Sequence, residues 1–152
     1  MKLRHILCAT VLLGLIVSSI WIVLAQEDQE AAEKAAISTV ATELVNAALA
    51  RDVDAIKANT DLPIVVIEGI GGRAQIVKEE DLEGLVQMVQ APAGVTLAIG
   101  KADVSLMGKT ASAQIQLTMP NGPDLGTAGR CAFLLVKKDD AWRVKAASYY
   151  GY

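Results

Sequence analysis

The sequence is poor in the side chains that most often carry catalysis. It contains one histidine, His5, and two cysteines, Cys8 and Cys131, among 152 residues. His5 and Cys8 both precede Gln26, so the chain from Gln26 onward holds one cysteine and no histidine. Histidine is the commonest general base and the commonest transition-metal ligand. Its absence excludes a Ser-His-Asp triad and the usual zinc sites from that part of the chain, and we expect no metal and no cofactor.

Charge is absent from a long stretch near the N terminus. Residues 6–25 are an uncharged apolar run that follows Lys2 and Arg4 and ends in Val23-Leu24-Ala25. This pattern predicts a secretory signal peptide over residues 1–25, cleaved before Gln26, although a run of this length also fits an uncleaved membrane anchor. In both cases residues 26–152 lie outside the cytoplasm, secreted or periplasmic, with membrane contact only through residues 6–25 if cleavage fails.

Basic residues are outnumbered by acidic ones. The chain has 14 Lys and Arg against 17 Asp and Glu, and without Lys2 and Arg4 twelve basic residues remain, a net charge near −5. An acidic domain has no electrostatic attraction to nucleic acid or to an anionic membrane surface. We therefore expect neither as a partner.

The hydrophobic pattern changes from helical to strand-like along the chain. Between residues 26 and 50 apolar side chains recur every three or four residues, and Asp52 can cap a second, short helix. A strand over residues 63–69 and a helix around residues 82–89 follow. Beyond Val95 apolar and polar residues alternate, which is typical of half-buried strands. Helices followed by strands predict an α+β fold in which the helices cover one face of a sheet.

Two segments resemble the nuclear transport factor 2-like superfamily. They are "NAALARDVDAIKANTD" after the first helix and the closing hairpin "CAFLLVKKDDAWRVKAASYY", with its aspartate turn and Trp-Arg-Val. The resemblance implies one cone-like domain over residues 26–152, a curved antiparallel sheet with N-terminal helices packed into its concave face. Ketosteroid isomerases and polyketide cyclases share this fold. Their chemistry would require a tyrosine near the first helices, which is missing here, so the resemblance assigns no catalytic residue.

Two acids remain as candidates for chemistry in a cone. Glu68 ends an otherwise apolar strand, and Asp103 alternates with apolar neighbours. A carboxyl group held in an apolar cavity has a raised pKa and can act as a base, which would make the domain an isomerase, cyclase or hydrolase-like enzyme. The alternative interpretation places both acids on the solvent side or at strand ends. Cys131, without a histidine beside it, is expected to be a buried small hydrophobe.

The closing strand suggests which side chains would line such a cone. Arg143 and Lys145 share one parity and belong outside, so Trp142, Ser148 and Tyr150, of the other parity, are expected to point inward. Together with Phe133, Glu68 and Asp103, they are the candidate pocket residues.

Two functions other than catalysis follow from these patterns. The first is an exported domain that binds a small apolar ligand or serves as a scaffold, without a defined catalytic set. The second is a homodimeric interaction domain. In "RCAFLLVKK" both parities are apolar, with Phe133 and Leu135 on one side and Leu134 and Val136 on the other. A strand buried on both faces favours coverage of its outer face by a second subunit.

Overall fold

The structure, a computed structural model, describes residues 2–69, 72–88, 96–120 and 127–151. For residues 2–25, 68, 85, 87, 88 and 127 it describes the backbone alone. Three α-helices and seven strands are described, with a 3₁₀ turn at Glu79–Asp81 before the third helix. They are α1 (Lys2–Ala50), α2 (Val53–Asn59), β1 (Thr60–Glu68), β2 (Arg73–Val77), α3 (Leu82–Met88), β3 (Ala98–Ile99), β4 (Asp103–Met107), β5 (Thr110–Thr118), β6 (Thr127–Lys138) and β7 (Ala141–Gly151).

The chain divides into two compact units, Met1–Glu33 and Lys34–Tyr152. Within the described residues, the first unit consists of the N-terminal part of α1. Where side chains are described, no helix is both long and apolar enough to cross a bilayer. The side chains of residues 1–25 lie outside that part, so the expected signal peptide or anchor stays a prediction.

The second unit is a seven-stranded sheet covered on one face by helices. Its strands follow the order β2-β1-β7-β6-β5-β3, and β4 pairs with β5 beside β3. The predicted α+β class, with a helix packed on a curved sheet, is confirmed. The sheet is mixed rather than wholly antiparallel, because β1 runs parallel to β7 while the other pairs are antiparallel.

The core lies between α1 and the face of the sheet that we call the inner face. Ile37, Ala41, Leu44 and Val45 of α1 are buried at helical spacing. They belong to the same apolar cluster as inner-face side chains of the sheet, namely Ala111, Ala113, Ile115, Leu117, Phe133, Leu135, Trp142 and Val144. The opposite side of the sheet is the outer face.

Local signals explain how the helices are joined to the sheet. Asp52 caps α2 as predicted, because its Oδ1 accepts a hydrogen bond from the Ala55 N–H at 2.9 Å. The short α2 then leads into β1, whose Asp61 binds two lysines of the closing hairpin. Lys138 Nζ lies 2.9 Å from Asp61 Oδ1, and Lys145 Nζ lies 3.1 Å from Asp61 Oδ2. These contacts join the start of β1 to β6 and β7.

Candidate functional site

A groove of about 690 Å³ lies between α1 and the segment that opens β4. It belongs to the Lys34–Tyr152 unit. Three residues of α1 line one wall, and the other wall consists of the two residues before β4 and the first two residues of β4. The lining residues are Lys34, Ala35, Ser38, Lys101, Ala102, Asp103 and Val104.

The groove exists because the edge of the sheet is interrupted at residues 100–102. β3 pairs with the C-terminal end of β5 and β4 pairs with its N-terminal half, so one strand edge is shared by two short strands. Between them the Gly100 N–H donates to the Gln116 carbonyl at 2.9 Å, and a Cβ at Gly100 would lie 2.9 Å from the same oxygen. Glycine has no Cβ, so it is the only residue that can come this close to the Gln116 carbonyl without displacing the backbone. The short segment that follows brings Lys101 to the groove, and the small side chains of Ala35 and Ala102 leave its space open.

The charges of the groove come from two lysines and one acid. Lys101 and Asp103 are exposed, and neither side chain makes a hydrogen bond or ion pair within the described part of the chain. Lys34 is half-buried and has an interaction partner within the chain. Ser38, also half-buried, adds a hydroxyl on the helix side. This arrangement can bind and orient a molecule, because it offers small apolar side chains with polar groups around them.

Asp103, one of the predicted acids, lies at the groove but not in an apolar interior. Val104 and Leu106 pack against the core, whereas Asp103 alternates with them and is exposed opposite Gln114 of β5. The exposure of Asp103 therefore fits the alternative interpretation, which placed this acid on the solvent side, because strand alternation turns its side chain towards solvent; its role as an enclosed base is not supported. The side chain of Glu68 lies outside the described residues, and its proposed role stays a prediction.

Phe133 and Trp142, two further candidates, are core residues. They are only 7% and 6% exposed, respectively, and both belong to the apolar cluster beneath α1. Neither lines the groove. Both therefore have packing partners on every side, and any part they play in binding stays a prediction.

The predicted orientation of Ser148 and Tyr150 is wrong because β7 contains a β-bulge. Val144 pairs with Leu135, but the next pair is Ala146 with Leu134, so Lys145 is an extra residue on β7. One extra residue exchanges the two faces for everything that follows. Beyond the bulge Ala147 pairs with the buried Phe133.

Consequently Ser148 and Tyr150 share the outer face with Leu134. Ser148 pairs with Ala132 and Tyr150 with Arg130, which is exposed. Tyr150 is itself 42% exposed. Neither side chain belongs to the inner face, where the uninterrupted alternation had placed it.

Tyr149 takes the inner-face position that the alternation assigned to its neighbour. It pairs with Cys131, and a Cβ built on Gly129 would lie 2.9 Å from Tyr149 Cε2. The ring therefore covers the glycine on the adjacent strand, which leaves room for it by having no side chain. Burial, and to a lesser degree the nearby Cys131, raises the pKa of the Tyr149 hydroxyl.

Cys131 is not activated as a nucleophile. Burial raises the pKa of its thiol to about 11, so the group is protonated at neutral pH. This agrees with the interpretation of Cys131 as a small apolar residue, and it packs against the core cluster. Among the described residues, no three potential metal ligands come close enough together to hold an ion.

Lys34, Ser38 and Lys101 line the groove but were not among the candidates from sequence. The alternation and helical-stripe arguments select apolar positions, whereas these three residues are polar, and Lys101 lies 63 residues after Ser38 in the sequence. The available signal was local: Ala35 and Ser38 are small residues one helical turn apart on α1. That signal indicates space on a helix surface, but it does not identify the strand that faces it.

Neither a protein-family model nor a curated protein matches this sequence. Solved structures do match its fold. An NTF2-like protein with a cystatin-like fold from Novosphingobium aromaticivorans aligns with a TM-score of 0.63 at 15% identity, covering 84% of this chain and 87% of that one. A cystatin-like fold protein from Nostoc punctiforme aligns with a TM-score of 0.60 at 20% identity over 78% and 90% of the two chains.

A ketosteroid isomerase-like protein from Erwinia carotovora atroseptica is a third similar structure. Its TM-score is 0.59 at 20% identity, covering 78% of this chain and 95% of that chain. At such identities the similarity establishes the fold and carries no activity from one protein to the other. The helix-covered mixed sheet and these alignments lead to one conclusion: the chain has the nuclear transport factor 2-like fold.

Proposed function

We propose that this chain is an exported, non-catalytic domain that binds a small, largely apolar molecule in the groove between α1 and β4. The observation that carries the proposal is the groove itself. Its volume of about 690 Å³ falls in the range typical of small-molecule sites. Ala35, Ala102 and Val104 supply apolar surface, and charged side chains flank them.

Binding is favoured over acid-base catalysis by the positions of the titratable groups. A general base must reach the proton it removes and needs a pKa suited to that task. Asp103 faces solvent on an edge strand, and the thiol of Cys131 is protonated at neutral pH. The domain therefore has a place for a ligand but no assigned group to transform it.

A matched pair of tryptophan substitutions tests this function. Ala35 and Ala36 are neighbouring exposed residues of α1, but only Ala35 lines the groove. In Ala35→Trp the indole would fill the groove, whereas in Ala36→Trp it would extend into solvent. The full chain is purified from the exported fraction, and small molecules released by denaturation are identified by mass spectrometry.

We expect the same compound with the wild-type protein and with Ala36→Trp, and its loss with Ala35→Trp. Thermal unfolding of both variants checks that the fold is intact. Equal retention of the compound by the two variants would place the binding site elsewhere and reject the groove.

Export is tested separately from binding. If residues 1–25 are a cleaved signal, N-terminal sequencing of the exported protein begins at Gln26. Recovery of Met1 in the membrane fraction would instead indicate an anchor, and recovery of the chain in the cytoplasm would overturn the proposed export.

We also propose that two copies of the chain associate through their outer faces. Ile76 pairs with Val65, Val65 with Ala146, and Ala146 with Leu134, so an apolar row crosses four adjacent strands. Ile76, Val65 and Leu134 are 69%, 37% and 42% exposed in the single chain. Contiguous exposed apolar surface of this kind is typical of an interaction site.

The association is tested by charge substitution on the outer face. Leu134→Lys places a charge within the apolar row, and Gln114→Lys places the same charge on the same face at an exposed polar position. Light scattering at micromolar concentration should show a dimer for wild type and Gln114→Lys, and a monomer for Leu134→Lys. A monomeric wild-type protein would reject this association.

A further inference from the structure

We propose that the ligand of the groove is an amphipathic monocarboxylate. Its carboxylate would pair with Lys101, and its apolar part would lie against Ala35, Ala102 and Val104. This inference rests on the proposed binding function and adds the chemical class of the ligand.

The lining of the groove is formally more basic than the chain as a whole. Acidic residues outnumber basic ones 17 to 14 in the sequence, yet the groove lining holds two lysines and a single aspartate. Because Lys34 already has an interaction within the chain, Lys101 is the cation on which the inference depends. The Lys101 side chain is exposed and makes no hydrogen bond or ion pair within the described residues, so its charge is available to a ligand.

The apolar residues that line both walls of the groove limit how polar the ligand can be. Ala35, Ala102 and Val104 offer no hydrogen-bonding side-chain atoms to a bound molecule. A polar ligand would lose its water there without compensation, which costs free energy, whereas an apolar chain gains by leaving water. The ligand that matches both features is charged at one end and apolar along the rest.

A single negative charge fits this groove better than a phosphate. Phosphate sites commonly use bidentate arginine or free backbone N–H groups at a helix N terminus. The groove lining contains no arginine, and its α1 residues lie inside the helix, where their N–H groups bond to the preceding turn.

Three probes that share one alkyl chain separate charge from apolar contact. Decanoate, 1-decanol and decyltrimethylammonium are titrated into the purified full-length exported protein, and binding is measured by isothermal titration calorimetry below micelle-forming concentrations. We expect decanoate to bind up to about fivefold more tightly than 1-decanol, which is the upper end of the effect expected for an ion pair with an exposed lysine. Decyltrimethylammonium should bind most weakly.

The role of Lys101 is tested with a matched lysine. Lys101→Gln removes the charge at the groove, and Lys109→Gln removes a charge from another exposed lysine, in the turn between β4 and β5. We expect Lys101→Gln to weaken the binding of decanoate up to about fivefold while leaving that of 1-decanol unchanged, and Lys109→Gln to change neither. Unchanged thermal unfolding shows that both variants remain folded.

The outcomes distinguish this inference from the function on which it rests. If all three probes bind equally and Lys101→Gln has no effect, or if none binds, the monocarboxylate class is overturned. Whether the groove binds a ligand at all is then decided by the Ala35→Trp and Ala36→Trp comparison, because that experiment does not depend on the class of the ligand. Preference for decyltrimethylammonium would also overturn the inference and would assign the charge recognition to Asp103.

Discussion

The two faces of β6 have similar sequences but different surroundings. On the inner face, Leu135 is fully buried and Phe133 is nearly so, beneath α1. On the outer face, Leu134 is 42% exposed in the single chain. Burial of an apolar side chain therefore depends on which element covers its face, and its hydrophobicity alone does not decide it.

β7 shows the same contrast along one strand. Before the bulge at Lys145, Trp142 and Val144 face the core. After it the inner-face positions are those of Ala147, which packs against the core, and Tyr149, which is 47% exposed. The exposed outer face consequently gains Ser148 and Tyr150. A single extra residue thus changed the composition of both faces over half of the strand.

The largest expected effect comes from truncating leucine on each face of β6. Leu135→Ala should lower the free energy of unfolding by about 2–5 kcal/mol, because it creates a cavity in the core. Leu134→Ala should change it by no more than about 0.5 kcal/mol in the isolated chain. Urea unfolding of both variants at several protein concentrations measures the difference.

The concentration series sharpens that comparison. If a second copy covers the outer face, the cost of Leu134→Ala increases with protein concentration. A cost equal to that of Leu135→Ala at every concentration would contradict the assignment of Leu134 to the outer face.

The next effect tests close packing on the inner face. A Cβ at Gly129 would lie 2.8 Å from the Tyr150 carbonyl and 2.9 Å from the Tyr149 ring, so Gly129→Ala should destabilise the domain by about 1–3 kcal/mol. Gly84 in α3 is exposed, with open space around its Cβ position. Gly84→Ala should therefore stabilise by about 0.5–1 kcal/mol, measured by the same urea titration. A neutral Gly129→Ala would show that Tyr149 does not cover the glycine.

A smaller effect concerns Lys145, the extra residue of the β7 bulge, and its ion-pair partner Asp61. Hydrogen bonds from Lys138 and then Lys145 lower the pKa of Asp61 below its ordinary value of 3.8. A lowered folded-state pKa stabilises the fold above the unfolded pKa, and this contribution disappears as the pH falls through the folded value. Asp61→Asn should therefore flatten the dependence of the free energy of unfolding on pH below about pH 4. At neutral pH it should lower that free energy by no more than about 1 kcal/mol.

The control for this prediction is Asp140→Asn in the β6–β7 turn. Asp140 is exposed and makes no ion pair within the described residues. Its replacement should leave the acid limb of the stability curve unchanged. Equal flattening by the two variants would mean that the Asp61 contacts with Lys138 and Lys145 do not form in solution.

The smallest effect tests the orientation of Tyr150. Because its ring is 42% exposed on the outer face, Tyr150→Phe should change the free energy of unfolding by no more than about 0.5 kcal/mol. A loss of about 0.5–1.5 kcal/mol, the usual contribution of a hydrogen bond, would indicate that the hydroxyl is bonded in the interior. Urea unfolding of the isolated chain distinguishes these values.

The amino-acid pattern determined the elements whose cause is local. The stripe of Ile37, Ala41 and Leu44 indicated α1, and Asp52 indicated the start of α2, because helix periodicity and capping involve residues a few positions apart. The alternation of residues 111–117 similarly indicated β5. Helices followed by strands then gave the α+β class, and the two quoted segments gave the resemblance that the structural alignments support.

Tertiary structure alone decided the features that join distant segments. No local pattern contains the parallel pairing of β1 with β7 or the extra residue at Lys145. The same holds for the presence of Lys34 and Lys101 in the lining of one groove. A bulge depends on how two strands align, and a groove depends on space left between two elements. Sequence periodicity assumes an uninterrupted strand and contains no information about the partner that faces it. For that reason it assigned Ser148 and Tyr150 to the wrong face and did not identify the lysines of the groove.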